Sequence, residues 1–243
     1  MSSPKHTRDW NDLANVDAMW AVLSHPGMEH GNWNEGDFFR TGIEEIAEVR
    51  GMLTTLGFTE CPDSALDFGC GLGRLTVALR QFCREVIGVD VSSAMIERAR
   101  SLHTQCEFVH NPHSDLRVFS PQRFDLIYSR RVLQHQPSAA GILRYVSEFV
   151  RVLKPGGIAA FQIPSRVPWH HRLQPRRRVY GLLRALGFSP QLLYSWNFHP
   201  MRMTAVPEHE VRAVVERAGG RILQIAPDNS CPGDESRFYY VGR

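Results

Sequence analysis

The sequence predicts an α/β protein built on a seven-stranded, mostly parallel sheet with helices on both faces. Three observations carry this reading. From Ser64 onward, short apolar runs alternate with segments of helical periodicity. The first run ends in the glycine-rich turn Gly69-Cys70-Gly71-Leu72-Gly73, which opens a helix. The last two runs, 221–226 and 237–241, have no helix between them and are suited to an antiparallel pair.

The elements follow in order. Residues 9–23 carry Trp10, Leu13, Val16 and Trp20 at helical spacing, broken by Pro26-Gly27. A second helix spans 38–56, with Asp37 as N-cap, Phe39, Ile43, Ile46, Val49 and Leu53 as its apolar stripe, and Gly57 as its stop. Strand 64–68 precedes helix 72–82. Strand 85–89 ends at Asp90 and precedes helix 93–102. Strands 105–109 and 124–128 follow, then helix 139–153, stopped by Pro155-Gly156-Gly157, and strand 158–163. Residues 164–206 interrupt the alternation with prolines, arginines and aromatics. A helix over 207–218 and the two final strands complete the chain. The expected organisation is a helical extension over 1–60 and an α/β domain over 61–243, with an insertion at 164–206.

Composition narrows the class. The 243 residues are enough for one large domain. With 43% hydrophobic and 22% charged residues, disordered and fibrous classes drop out. No apolar run approaches the roughly 20 residues of a membrane-spanning helix. The polar, acid-bearing N-terminus has no leader pattern, so export is not expected. Cys61, Cys70, Cys83, Cys106 and Cys231 form no CxxC pair and read as small buried thiols, which fits a reducing cytoplasm. A net charge of +3 is too mild to imply nucleic acid. Lysine occurs only at Lys5 and Lys154, every other cation being arginine, as coding in a GC-rich genome would produce.

The glycine turn is spaced GxGxG. A dinucleotide site would place its third glycine at position 74, where Arg74 stands. Asp67 lies just ahead of the glycines, where it would repel a pyrophosphate but tolerate a cationic sulfonium. Asp90 ends the next strand, where a carboxylate can accept both ribose hydroxyls or cap the following helix.

The runs LDFGCGLGRLTVAL, VIGVDVS, FDLIYSRRVLQH and LKPGGIAAFQIP, in that order, resemble the class I S-adenosylmethionine-dependent methyltransferases, in their small-molecule branch. The resemblance implies a Rossmann-like methyltransferase fold with N-terminal helices and an inserted lid, and S-adenosylmethionine as cofactor. It places Asp67, Gly69, Gly71 and Gly73 along the methionine moiety and ribose, Asp90 on the ribose hydroxyls and Val91 against the adenine. Asn111 stands near the adenine amino edge, where the family usually has Asp in a Gly-Asp pair and this chain has Asn111-Pro112-His113. Ser129 ends the fourth strand, beside the cofactor's amino-acid end.

His135 follows that strand at the carboxyl edge of the sheet. It can serve as a general base for a hydroxyl acceptor, pack under the cofactor, or cap the next helix. In the family, N-terminal helices and this insertion cover the acceptor. That makes Trp33, Phe38, Tyr194 and His199 candidate substrate contacts, with Phe39, Trp169, Trp196 and Phe198 as further aromatics. No metal is expected, since neither His110 with His113 nor His170-His171 is joined by a carboxylate cluster. Arg172, Arg176, Arg177, Arg178 and Arg184, interleaved with Val179, Leu182, Leu183 and Leu186, read as a solvated basic face over a packed stripe. Alternatives are an anionic acceptor and a membrane-surface contact.

The leading expectation is methyl transfer to a small-molecule hydroxyl, with nitrogen and carbon acceptors as variants. Competing readings are an RNA methyltransferase and a non-catalytic partner protein. Ser129-Arg130-Arg131-Val132 is unlike the Asn/Asp-Pro-Pro-Tyr/Phe signature of many base N-methylating enzymes, which argues against RNA. Intact glycines and Asp90 argue against a scaffold.

Overall fold

The computed structural model describes residues 4–168, 173–229 and 235–243. Trp169, His170, His171, Arg172 and Cys231, named above, lie outside the described residues.

Helix α1 (Pro4–Val22) bends at Asp17, whose φ and ψ of −156° and 83° are not helical. Its Oδ1 accepts a hydrogen bond from Trp20 N at 3.3 Å, so Asp17 caps the second half of a helix expected to be continuous. Helix α2 (Glu35–Thr55) begins one turn before the expected Asp37. Its N-cap is Asn34, whose Oδ1 accepts from Asp37 N at 3.2 Å. Its buried face is also turned from the expected stripe. Phe38, Gly42, Glu45, Ile46, Val49 and Leu53 point inward, while Ile43 is 43% exposed.

The sheet is then assembled from β1 (Ser64–Phe68), α3 (Arg74–Leu79), β2 (Glu85–Asp90), α4 (Ser93–Leu102), β3 (Glu107–His110), β4 (Phe124–Ser129), α5 (Ala139–Val152) and β5 (Leu153–Arg166). Two more helices, α6 (Pro175–Ala185) and α7 (Pro190–Ser195), precede α8 (Glu208–Arg217), β6 (Arg221–Asp228) and β7 (Glu235–Gly242). Strand order is β3-β2-β1-β4-β5-β7-β6. Neighbours from β3 to β5 are parallel, and β7 runs antiparallel between β5 and β6. Strand β5 extends past the expected end at 163, because Arg166 still pairs with Glu235 of β7.

Alternation along each strand sorts side chains to two faces. Ile127 and Phe161 pack with Val146, Phe149, Val211 and Val215 of α5 and α8. Leu126, Tyr128 and Ala160 pack with Ile46, Val49, Leu53 and Leu79 of α2 and α3. A third cluster joins Leu13, Trp20 and Ala21 of α1 to Phe38, Met95 and Tyr194.

The segment between β5 and α8 docks on α1 through polar bonds. Tyr180 Oη donates to Asp12 Oδ2 at 2.9 Å and Arg184 Nε to the same oxygen at 3.0 Å. Tyr194 Oη donates to Asp17 Oδ2 at 2.8 Å. Because Tyr180 and Arg184, four residues apart, form the docked face of α6, the expected apolar stripe is only half used. Leu182 and Leu186 are 63% and 67% exposed. The reading of every cysteine as buried also needs correction, since Cys61 is exposed while Cys70 and Cys83 are buried. Among the described residues no helix is long and apolar enough to cross a membrane.

Candidate active site

The chain order reverses between β1 and β4, and a cleft of about 880 Å³ opens there at the carboxyl ends of β1, β2 and β4. The glycine turn forms one wall. Gly69 and Gly71 have φ of 77° and 53°, in the left-handed region. A Cβ at Gly69 would stand 2.3 Å from Val132 Cγ1, and one at Gly71 would stand 2.4 Å from Val22 Cγ2. Side chains are thus barred where the turn meets the β4 loop and α1. Gly73 faces away from the cleft, toward Phe108.

Asp90 locks this turn. Its Oδ2 accepts from Gly71 N at 2.9 Å and its Oδ1 from Ser92 N at 2.8 Å. Burial pushes its carboxyl up, against the pull of the Ser92 and Gly71 amides. It does not cap α4, because Ser92 does so by accepting from Met95 N at 3.2 Å. Val91, Met95 and Asn111 join Asp90 on the β2–β3 side of the cleft. The Asn111 amide braces its own loop, donating to Asp115 O at 2.6 Å and accepting from His113 N at 3.2 Å.

Asp67 lies beneath the turn and does not line the cleft. Its Oδ2 accepts from Thr76 Oγ1 at 2.6 Å and its Oδ1 has no partner among the described residues. Burial pushes this carboxyl up to about 7. Ser129 is also below the cleft, fully buried, with Oγ donating to Phe68 O at 3.1 Å, so it braces β4 against β1.

On the β1–β4 side three guanidiniums line the cleft, from Arg74, Arg130 and Arg131. All three surround one buried carboxylate, Glu45 of α2. Arg74 Nη2 is 2.9 Å from Glu45 Oε2, Arg131 Nη1 3.2 Å from it, and Arg130 Nη1 3.8 Å from Oε1. Tyr128 Oη donates to Glu45 Oε1 at 2.8 Å, and Arg130 also pairs with Asp228 at 2.8 Å. Burial opposes ionisation of Glu45, but the arginines outweigh it and hold the carboxyl at about 2.

His135 lines the cleft beside Trp10 of α1, their rings 5.2 Å apart. It closes the short 3-10 turn Leu133–His135 after β4. Its Nδ1 donates to Arg202 O at 2.7 Å, a bond that only the Nδ1–H tautomer can make. Burial and the nearby His199 and Arg202 push it down to about 4, even against the Arg202 carbonyl, so the ring is neutral near pH 7. His6 lines the same cleft and is also pushed to about 4, by burial first.

The aromatic candidates are scattered. Phe38 is core, and Tyr194 is tied to Asp17. His199 packs on the Trp20 ring at 5.6 Å. Trp33 donates to Leu23 O at 3.1 Å and borders an open hollow that shares Arg74, Arg130 and Arg131 with the cleft. Phe39, Trp196 and Phe198 do not line the cleft either. Conversely His6, Trp10, Glu45, Arg74, Arg130 and Arg131 went unassigned in the sequence. The doublet Arg130-Arg131, directly after a strand that meets the glycine turn, was the one available signal. Among the described residues no group of three or more His, Cys, Asp or Glu is arranged to hold a metal ion.

The family described as methyltransferase domain matches residues 66–161. The trans-aconitate 2-methyltransferase of Enterobacter sp. (strain 638) is 32% identical over 139 residues, 56% of this chain and 52% of its own length. That of Escherichia coli (strain K12 / DH10B) is 37% identical over 201 residues, 74% of this chain and 75% of the relative. The chain belongs to the class I S-adenosylmethionine-dependent methyltransferases. It spans about half the length of the Enterobacter relative and three quarters of the E. coli one. Among solved structures, the magnesium protoporphyrin IX methyltransferase from Synechocystis PCC 6803 with bound SAH superposes with a TM-score of 0.62 at 19% identity, over 97% of both chains. That likeness shows the Rossmann-like methyltransferase fold.

The residues fit the family's cofactor, S-adenosylmethionine. The Gly71 cradle leaves backbone N–H groups beside a carboxylate suited to diols, and the arginines supply cations for a carboxylate end.

Proposed function

We propose that this methyltransferase acts on a carboxylate oxygen of a small anionic acceptor, yielding a methyl ester. Asp90 holds the ribose hydroxyls, Val91 and Met95 flank the adenine, and Arg74 with Arg131 holds the methionine carboxylate. Bound there, S-adenosylmethionine supplies an electrophilic methyl group whose C–S electron pair returns to sulfur. Helix α1 and the insertion 164–206 act as a cap on the α/β domain, excluding water and aligning the acceptor for in-line attack, while α2 is a layer of the sheet itself.

The observation that carries this reading is the state of His135. It is the imidazole best placed to take an acceptor's proton, yet burial holds it at about 4, too weak a base for an alcohol at neutral pH. A carboxylate is already ionised and needs no base. The named acceptor of the relatives, trans-aconitate, supports the same choice. A hydroxyl acceptor, the expectation from sequence, keeps one supporting observation. With Nδ1–H engaged by Arg202, the Nε2 atom carries the lone pair, and its one hydrogen bond among the described residues is a long one of 3.4 Å accepted from Gln134 Nε2.

The test uses methyl-labelled S-adenosylmethionine with trans-aconitate and a panel of organic acids and alcohols. An ester product releases labelled methanol in alkali. An alkali-stable methylated product sinks the carboxylate reading.

A further inference from the structure

From Phe149 to Pro207 the sequence contains no aspartate or glutamate, while seven arginines fall between Arg166 and Arg202. One of them, Arg202, lines a small hollow that shares His6, Trp10 and His135 with the cofactor cleft. Arg177 of α6 stands close enough to weaken the hold of both Arg202 and His6 on their protons. Burial is the larger cause for Arg202.

These two guanidiniums are under-compensated. The Arg202 side chain makes no ion pair or hydrogen bond among the described residues. Arg177 reaches only Gln174 Oε1, at 3.4 Å, and its Nε is buried without a partner. The buried Asp9 also lines the small hollow; its Oδ1 lies 3.9 Å from Arg8 Nη2 and has no hydrogen-bond partner among the described residues. With His6 and His135 neutral, Arg202 and Arg177 share the Asp9 carboxylate with Arg8, so the cations outnumber it. Partly desolvated cations without partners are unfavourable unless an anion completes them.

Their placement is also preset. The Arg202 carbonyl accepts from His135 Nδ1 at 2.7 Å. Thr204 N donates to Gln134 O and Thr204 Oγ1 to Gln136 O, both at 2.8 Å. Gln174, at the start of α6, donates through Nε2 to Met203 O at 3.0 Å. The backbone carrying Arg202 is thus clamped to the turn after β4 before any ligand arrives, which lowers the ordering cost of binding.

We propose that Arg202, with Arg177, binds a second carboxylate of the acceptor, so that the acceptor is a small polycarboxylic acid. This rests on the carboxylate reading above. The carboxylate held by the arginines is not the one methylated, because pairing with two guanidiniums would blunt its nucleophilicity. Arg202 therefore sets specificity, and the reacting carboxylate lies toward Trp10 and Val132.

The test is calorimetric titration of the full chain, saturated with S-adenosylhomocysteine, using trans-aconitate, citrate and the monocarboxylate crotonate. The wild type is expected to bind both polycarboxylates at least tenfold more tightly than crotonate. Arg202→Gln should lose at least tenfold on the polycarboxylates, and Arg202→Lys less. Affinity for S-adenosylhomocysteine should stay within twofold in every variant. Equal wild-type affinity for crotonate and trans-aconitate overturns the proposal. So does Arg202→Gln with unchanged polycarboxylate affinity. Should Arg202→Gln also lose S-adenosylhomocysteine, Arg177→Gln decides, and unchanged polycarboxylate binding there overturns the proposal. A wild type that binds polycarboxylates but forms no alkali-labile product overturns the ester reading and leaves the anion site standing.

Discussion

Nδ1 of His135 donates a 2.7 Å hydrogen bond to the backbone carbonyl of Arg202, joining the turn after β4 to the segment that precedes α8. One bond therefore fixes three things. It sets the tautomer of a cleft imidazole, the backbone position of an arginine whose side chain has no partner among the described residues, and the contact between the turn after β4 and the segment that precedes α8.

This bond separates positioning from base catalysis. Asparagine can present an N–H near the place of Nδ1 but has nothing at Nε2. His135→Asn should keep turnover within about threefold, whereas His135→Ala should lose at least tenfold; a general base would lose about 10²–10⁴-fold in both. The imidazole is pushed to about 4, so wild-type turnover should be flat from pH 6 to 8 and fall only as pH drops toward 4. A rate that climbs through pH 6.5 in the wild type and not in His135→Asn would return His135 to the base role.

Asp90 holds the glycine turn through the Gly71 and Ser92 amides, and the proposed function gives it the ribose as well. Asp90→Ala should weaken S-adenosylmethionine binding more than tenfold, since hydrogen bonds to a charged acceptor are worth about 1.5–3 kcal/mol each. It should also lower the melting temperature without ligand, because two N–H donors lose their acceptor. Calorimetry and thermal unfolding check the two effects separately. Unchanged affinity would move the ribose elsewhere.

Glu45 is the electrostatic keystone of the β1–β4 side. Glu45→Ala leaves Arg74, Arg130 and Arg131 around an empty carboxylate position and should cost about 3–5 kcal/mol at pH 7. Its folded pKa of about 2 lies below its ordinary value of 4.5. The unfolded chain therefore binds the extra proton, and the stabilisation is complete above pH 4.5 and lost as pH falls toward 2. Urea unfolding at pH 7 and pH 3 should show the gap between wild type and variant narrowing in acid. An equal gap at both pH values would contradict this assignment.

Much of the fold was legible because its signals are local. The strands from Ser64 to Phe124 begin within two residues of their expected starts, since period-two burial and glycine stops depend on near neighbours. Elements failed where a distant partner intervened. The α2 stripe turned so that Glu45, a charge the apolar pattern places outside, could meet three arginines supplied by α3 and the β4 loop. The Leu182 and Leu186 face of α6 was left exposed because Asp12, far earlier in the chain, holds Tyr180 and Arg184.

The sequence by itself determined the parallel sheet with its antiparallel end, the glycine turn, the Asp90 position and the family, because each is written in contiguous residues whose backbone preferences act locally. The tertiary structure alone decided which side chains share the cleft. Asp67 and Ser129 sank beneath it, Trp33, Phe38, Tyr194 and His199 went to other contacts, and His6, Trp10 and the arginine cluster entered it. The physical reason is that burial and charge pairing depend on which surfaces meet. Residues 160 or more apart in the chain, such as Tyr194 and His30 or Arg184 and Asp12, become neighbours only where the insertion docks on the N-terminal segment.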